Sequence, residues 1–337
     1  MKAVGYYQSL PIDNPQALQD IQLPEPIPGA HDLLVEVRAI SVNPVDTKIR
    51  QRVAPQNGEA KVLGWDVAGV VRAVGEKVSL FQPGDAVYYA GALDRPGSNS
   101  ELHVVDERIV GRKPASLSFA ETAALPLTAI TAWELLFDRL KVAQGKTADG
   151  SLLIIGAAGG VGSILTQLAR QLTGLQVIGT ASRAETRDWV RELGAHVVID
   201  HSQLLTEQLK AQGIDAVQRV ASLTHTDQHL PQLVEALAPQ GQLALIDDPE
   251  NLDIRALKQK SLSLHWEFMY TRSLFGTADM IEQHKLLNRV TDLIDAGQLR
   301  TTLGEHFGTI NAANLRKAHA LLESGKARGK IVLEGFS

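Results

Sequence analysis

The stretch Ile155-Gly156-Ala157-Ala158-Gly159-Gly160-Val161-Gly162 decides how this chain folds. It follows the apolar run Ser151-Leu152-Leu153-Ile154-Ile155, which reads as a buried strand. Beyond it, Val161, Ile164, Leu165, Leu168, Ala169 and Leu172 recur at i, i+3, i+4, i+7, i+8 and i+11, one face of an α-helix. A strand, a glycine turn and an amphipathic helix in that order make a corner suited to the pyrophosphate of a dinucleotide, because N–H groups at the helix start and the helix dipole both meet negative charge. Ala158, Gly159, Gly160, Val161 and Gly162 are the candidate phosphate contacts. Gly159 is expected to let the backbone approach the phosphates, and Gly162 to let the helix pack against the strand. The pattern G-x-G-x-x-G opens on glycine, and that place is Ala157, so Gly156 is expected to supply the flexibility. A bare turn is the competing reading; the order of elements and the clean helix face weigh against it.

Downstream the alternation continues. Gln176–Ala181, Val197–Asp200, Ala216–Ala221, Gln242–Ile246 and Leu262–Met269 read as strands, with helices at Glu185–Leu193, Leu204–Lys210 and Leu230–Leu237 between them. With Ser151–Ile155 these complete a doubly wound parallel sheet of the Rossmann type. Upstream, residues 1 to about 120 read as β-rich with no long helix. Leu33–Ile40 and Val67–Val74 are short branched strands, and Gly75-Glu76 and Gln82-Pro83-Gly84-Asp85 are turns, as in a small barrel or sandwich. Phe119–Asp138 is helix-like with a break at Pro126. The tail predicts helices over Met280–Ala296 and Ala312–Ser324, then a strand at Lys330–Leu333 that is free to return to the N-terminal β domain.

Composition narrows the function classes. The chain has 337 residues, long enough for two domains, and a net charge of −5 without any basic block, which argues against nucleic acid or an anionic membrane as partner. It contains no cysteine, which removes disulfides, a thiolate nucleophile and every thiolate metal site, and fits a reducing cytoplasm. The N-terminus lacks the apolar core of a signal peptide, and no stretch reads as a membrane span.

The end of the second strand selects the cofactor. An Asp or Glu there would bind the ribose hydroxyls of NAD; this chain has Gly179-Thr180-Ala181-Ser182-Arg183 instead. A hydroxyl and a guanidinium suit the 2′-phosphate of NADP, so Ser182 and Arg183 are candidate contacts. Ser182 is also open to capping the next helix, and Arg183 to being a solvated charge. His201, past the third strand, is a further candidate near the adenosine.

Taken together, Ser41-Val42-Asn43-Pro44-Val45-Asp46, Gly64-Trp65-Asp66-Val67-Ala68-Gly69, Leu127-Thr128-Ala129-Ile130-Thr131-Ala132-Trp133, the glycine corner and Arg328-Gly329-Lys330-Ile331-Val332-Leu333 resemble the zinc-free quinone oxidoreductase branch of the medium-chain dehydrogenase/reductase superfamily, the branch that includes zeta-crystallin. Trp266–Arg272 resembles a subgroup often labelled a zinc-binding alcohol dehydrogenase family. The resemblance covers nearly the whole chain. It implies a GroES-like barrel domain (1–123 and 272–337) beside a Rossmann domain (124–271), and a homodimer. It also implies hydride transfer from NADPH to quinones or α,β-unsaturated carbonyl compounds. In zinc-dependent relatives a Cys stands near the place of Asn43 and a His follows the glycine matching Gly64; here Trp65 takes that place and no cysteine exists, so a metal-free enzyme is expected.

Asn43 is implied near the nicotinamide ribose or carboxamide, and Thr128 against the cofactor. By local chemistry alone Asn43-Pro44 is equally a plain turn. Asp46 is open between lining the active site and capping a following helix. Tyr89, with Tyr88, is open between presenting a phenol to substrate and packing in a strand. Arg328 is open between the cofactor phosphates and a solvated turn. Phe268 and Met269 are open between the substrate pocket and the dimer edge. A non-catalytic NADPH-binding protein, crystallin-like or redox-responsive, is the alternative from another class, and a zinc alcohol dehydrogenase a third reading.

Overall fold

The strand after the glycine corner's helix returns beside the strand before it, and repetition of that unit builds the larger sheet. In the computed structural model, which describes residues 1–147 and 149–336, the chain forms two units: Met1–Ile130 with Tyr270–Ser337, and Thr131–Met269.

The first unit holds β1 (Lys2–Tyr6), β2 (Gln19–Gln22), β3 (Asp32–Val42), β4 (Lys61–Val62), β5 (Val67–Val74), β6 (Ala86–Tyr89), β7 (Leu102–Asp106) and β8 (Val110–Arg112). Helices α1 (Pro44–Arg52) and α2 (Phe119–Ala123) belong to it, and α3 (Pro126–Trp133) carries the chain onward. The second unit holds β9 (Ser151–Ile155), α4 (Gly160–Leu172), β10 (Gln176–Thr180), α5 (Ala184–Glu192), β11 (Val197–Ile199), α6 (Leu205–Ala211), β12 (Val217–Ser222), α7 (Thr226–Ala236), β13 (Leu237–Leu245) and β14 (Ser263–Trp266). The chain then adds α8 (Thr271–Leu274), α9 (Glu282–Asp295), β15 (Leu303–His306), α10 (Ala312–Glu323) and β16 (Lys330–Glu334) to the first unit.

The second unit's sheet runs β11-β10-β9-β12-β13-β14, all parallel. That order reverses between β9 and β12, the place where such sheets open a crevice at their carboxyl ends. All five residues of β9 are buried, as a central strand covered on both faces requires, and Ile164, Leu165, Leu168 and Ala169 of α4 are fully buried.

The first unit is a mixed, mainly antiparallel sheet, β15-β16-β3-β5-β6-β8, with β7 also pairing β3; a three-stranded sheet β2-β1-β4 accompanies it. The long β3 organises it: β7 pairs residues 32–36, β16 pairs 39–42 and β5 lies along the other edge, with two register shifts that bend the strand. The terminal strand thus does return to the N-terminal β unit. Among the described residues, no helix is long and apolar enough to cross a membrane.

The N-terminal β region has no long helix, as expected, and the nine-residue α1 is the helix open to capping by Asp46: Pro44 sits in its first turn and the Asp46 carboxylate accepts the N–H of the cap residue Asn43. Several local expectations need correction. Helix α7 begins at Thr226 rather than Leu230, because the remote Asp247 carboxylate accepts the Thr226 N–H (2.8 Å) and the helix tolerates Pro231 inside it. Strand β14 stops at Trp266 rather than Met269; Glu267 is drawn inward to Arg139 Nε at 2.8 Å. Strand β15 had no signal strong enough to read.

Candidate functional site

In the second unit, the chain between β9 and α4 is tied to the end of β10: Gly156 N donates to Thr180 Oγ1 (3.0 Å) and Ala157 N to Thr180 O (3.2 Å). Gly156 adopts φ +77°, so it, and not the fully buried Ala157, makes the turn, as the pattern required. At Gly162 a Cβ would stand 2.5 Å from Gly156 O and 2.6 Å from Ala157 Cα, so only glycine lets α4 pack this close. Gly159 caps α4 without any side chain, and its own Cβ direction meets nothing nearer than 3.5 Å. The first-turn N–H groups of a 13-residue helix therefore start with no capping side chain, beside half-exposed Ala158, Gly160 and Val161. This corner fits a pyrophosphate.

The adjoining loop refines two readings. The cap position of α5 is Arg183, not Ser182, so Ser182 is exposed and has no capping duty. Arg183 pairs with Glu185 at 3.3 Å on a side chain 40% exposed, a weak surface contact. His201 packs edge-on against His229, ring centroids 6.2 Å apart, and burial lowers the pKa of both. No acidic side chain occupies 179–183.

The first unit contains a different kind of centre. Sheet register brings together the starts or ends of three neighbouring strands: Ile331 pairs Val42, and Ile40 pairs Val67, so Lys330, Asn43 and Asp66 converge. Lys330 Nζ donates to Asp66 Oδ2 (2.9 Å), to Val42 O (3.0 Å) and to Asn43 Oδ1. Asn43 Nδ2 donates to the same Asp66 oxygen at 2.8 Å, and the Leu127 N–H at the start of α3 donates to Asp66 Oδ1 at 2.7 Å. Asn43 N donates to Asp46 Oδ2 at 2.8 Å. All of these side chains are almost completely buried.

Burial lifts the Asp66 carboxyl above the usual range, opposed by Lys330 and the Leu127 amide; three converging donors favour its ionised form. Asp46 is pushed up to about 7, by burial first and by the Asp66 charge, while the Asn43 amide and Lys330 pull it down. The Gly64 amide also lowers it. Tyr270, fully buried, feels both carboxylates, and burial above all holds its phenol protonated.

The centre therefore gathers Asn43 and Asp46 from the expected set. Asp66, Lys330 and Tyr270 were not singled out; the signal was present as charges in the otherwise apolar stretches Trp65-Asp66-Val67 and Lys330-Ile331-Val332. Tyr89 is not one of the group: its hydroxyl bonds His103 Nδ1 at 3.0 Å, and Tyr88 bonds Leu287 O at 2.7 Å, so both phenols do packing work in the barrel. Thr128 is buried and donates to Leu125 O at 3.1 Å. Arg328 lies half-buried in the loop before β16. Phe268 is 47% exposed whereas Met269 is buried.

Residues 29–131 match the alcohol dehydrogenase GroES-like domain family, and residues 193–333 the zinc-binding dehydrogenase family. The chain resembles a putative zinc-dependent alcohol dehydrogenase protein from Rhizobium etli (TM-score 0.97, 56% identity, covering 100% of this chain and 98% of that one). It is 32% identical to a quinone oxidoreductase of Pseudomonas aeruginosa over 91% of this chain and 92% of the relative. It also resembles the quinone oxidoreductase of Escherichia coli complexed with NADPH (TM-score 0.82, 26% identity, covering 99% and 100%).

Zinc, which some of these descriptions carry, does not fit the residues here. The sequence has no cysteine, Trp65 donates its indole N–H to Ala92 O, both Asp66 oxygens are engaged, and among the described residues no three His, Cys, Asp or Glu are placed to share an ion. With its fold and its relatives matching from end to end, the chain belongs to the medium-chain dehydrogenase/reductase superfamily and is an oxidoreductase of that family.

Proposed function

We propose that this protein is an NADPH-dependent, metal-free reductase that transfers hydride to quinones or α,β-unsaturated carbonyl compounds. The observation that carries this reading is the glycine corner followed by exposed Ser182 and half-buried Arg183, with no carboxylate within 179–183 where an NAD-binding acid would stand. Ala158–Gly162 would hold the pyrophosphate, Ser182 and Arg183 the 2′-phosphate, with His201, Thr128 and Arg328 as further cofactor contacts. NADPH supplies the hydride. Without a Lewis acid, the acceptor must itself delocalise the arriving charge, which favours quinones and enones over simple ketones. Asn43 and Asp46 form the polar centre that orients the reacting groups, by position rather than by a committed acid–base pair.

The experiment is incubation of the pure protein with NADPH or NADH and a panel of quinones and enones. Oxidation of NADPH well above that of NADH is expected; no oxidation with any acceptor sinks the proposal. One observation favours a second reading, a non-catalytic NADPH-binding protein: the Asn43 amide and the Tyr89 hydroxyl are already hydrogen-bonded within the protein. Tight NADPH binding without turnover would select it. We further propose a cytoplasmic homodimer, joined through β14, an edge strand that ends on exposed Trp266 with exposed Phe268 just beyond it. Light scattering of the purified protein should give twice the chain mass, and a monomer would refute the pairing.

A further inference from the structure

The polar centre of the first unit carries its own cation. We propose that the Lys330 ammonium is the fixed positive charge of this centre, caged by three oxygens where the zinc-type descriptions call for a metal, and that it acts as a positioning residue for Asn43 and Asp66. The inference rests on the reductase reading for its link to turnover, but not for the cage itself.

The geometry accounts for every donor. An ammonium has three N–H groups, and Lys330 Nζ meets three oxygens: Val42 O at 3.0 Å, Asp66 Oδ2 at 2.9 Å and Asn43 Oδ1. The side chain is 3% exposed and that of Asp66 0%, so the contacts are shielded from bulk water. The cage fixes the Asn43 amide: its oxygen faces the ammonium and its nitrogen donates to Asp66, and the reverse orientation would set an NH₂ against a cation. It also leaves nothing for a metal. Asp66 Oδ1 is taken by the Leu127 N–H and Oδ2 by two donors, so at most Asp46 Oδ1 is left, and the Gly64 amide acts on that carboxyl as well. One oxygen is not the three-ligand set that zinc requires.

Substituting Lys330→Ala tests the cage. Turnover of an accepted quinone should fall about a hundredfold, with kcat and kcat/KM falling together, because a misplaced group costs rate rather than binding. NADPH affinity should stay within about twofold, since its phosphates are held by the glycine corner. Methylammonium or ethylammonium chloride should restore part of the lost rate, whereas zinc chloride should not. Wild-type turnover in the variant, a loss that zinc restores and alkylammonium does not, or stoichiometric zinc in the purified wild type would each overturn the proposal.

Should Lys330→Ala not fold, Lys330→Met keeps the volume of the stem and is expected to retain NADPH binding while losing turnover. A thermal-unfolding cycle of Lys330→Met, Asp66→Asn and the double variant tests the cage without any substrate. The double variant should be more stable than Lys330→Met alone; strictly additive losses would overturn the ion pair. If the wild type reduces nothing but the cycle shows coupling, the reductase reading fails and the cage stands.

Discussion

The glycine corner of the second unit and the polar centre of the first are built on opposite principles. The corner is made of backbone over eight consecutive residues, and its specificity lies in what is missing: side chains at Gly156 and Gly162 that would strain or block the turn. The centre is made of side chains up to 287 residues apart, and its specificity lies in mutual satisfaction of charges removed from water. A backbone site tolerates changes around it but not a Cβ within it. A charge network tolerates shape changes but not the loss of one partner. The two should therefore fail differently when altered.

The largest effect is expected from Asp66→Ala, which leaves the Lys330 ammonium buried without its counter-ion. Stranding one member of a buried pair costs about 3–5 kcal/mol. Urea unfolding checks this, and a loss under about 1 kcal/mol would mean that the network is not what holds the strand ends together.

Next comes the pH response of Asp46. Its pKa is raised in the folded state to about 7. The folded protein thus holds that proton more tightly than the unfolded chain, a stabilisation complete below the unfolded pKa and lost as pH rises through about 7. Asp46→Asn keeps an acceptor for the Asn43 N–H and removes the titration. Between pH 5 and pH 8 the wild type should lose about 3 kcal/mol more stability than the variant, at about 1.4 kcal/mol per unit. Parallel urea midpoints for the two proteins across that range would refute it.

At the corner, Gly162→Val sets a Cβ 2.5 Å from the Gly156 carbonyl. NADPH binding should weaken at least about a hundredfold, near 2.7 kcal/mol, while the first unit's response to Asp66→Ala is unchanged. Fluorescence titration with NADPH measures this, and unaltered affinity would show that the corner is only a turn. The smallest effect belongs to Arg183→Gln: affinity for NADPH should fall about tenfold while that for NADH hardly moves, because the proposed contact is to the one phosphate that NADH lacks. An equal loss for both nucleotides would place Arg183 elsewhere in the site.

The contrast also explains what could be read in advance. Six parallel strands, the break at Pro126 and the return of the last strand were legible because each rests on local periodicity or a single restrictive residue. The periodicity of helix α7 starts only at Leu230, because its first turn is capped from Asp247, more than twenty positions away, and no local residue signals that. Tyr89 drew attention as a phenol after a turn; only its bond to His103 shows the hydroxyl already spent. Asn43 and Asp46 stood out because Asn-Pro and a following carboxylate are local signals. Lys330 and Asp66 did not, because a lysine at the start of a strand ordinarily points to water.

The sequence by itself determined the glycine corner, the absence of thiolate ligands and the choice of small and basic residues over a carboxylate after β10. The first and last depend on residues adjacent in the chain, where stereochemistry acts directly, and the second on composition alone. Only the tertiary structure decided that Lys330, Asn43 and Asp66 share one buried cage. The reason is register: β16 and β5 flank β3, and pairing Ile331 with Val42 and Val67 with Ile40 sets the neighbouring polar residues together. A shift of one residue in either pairing would leave a charge buried without its partner, so burial energy and strand alignment select the same arrangement.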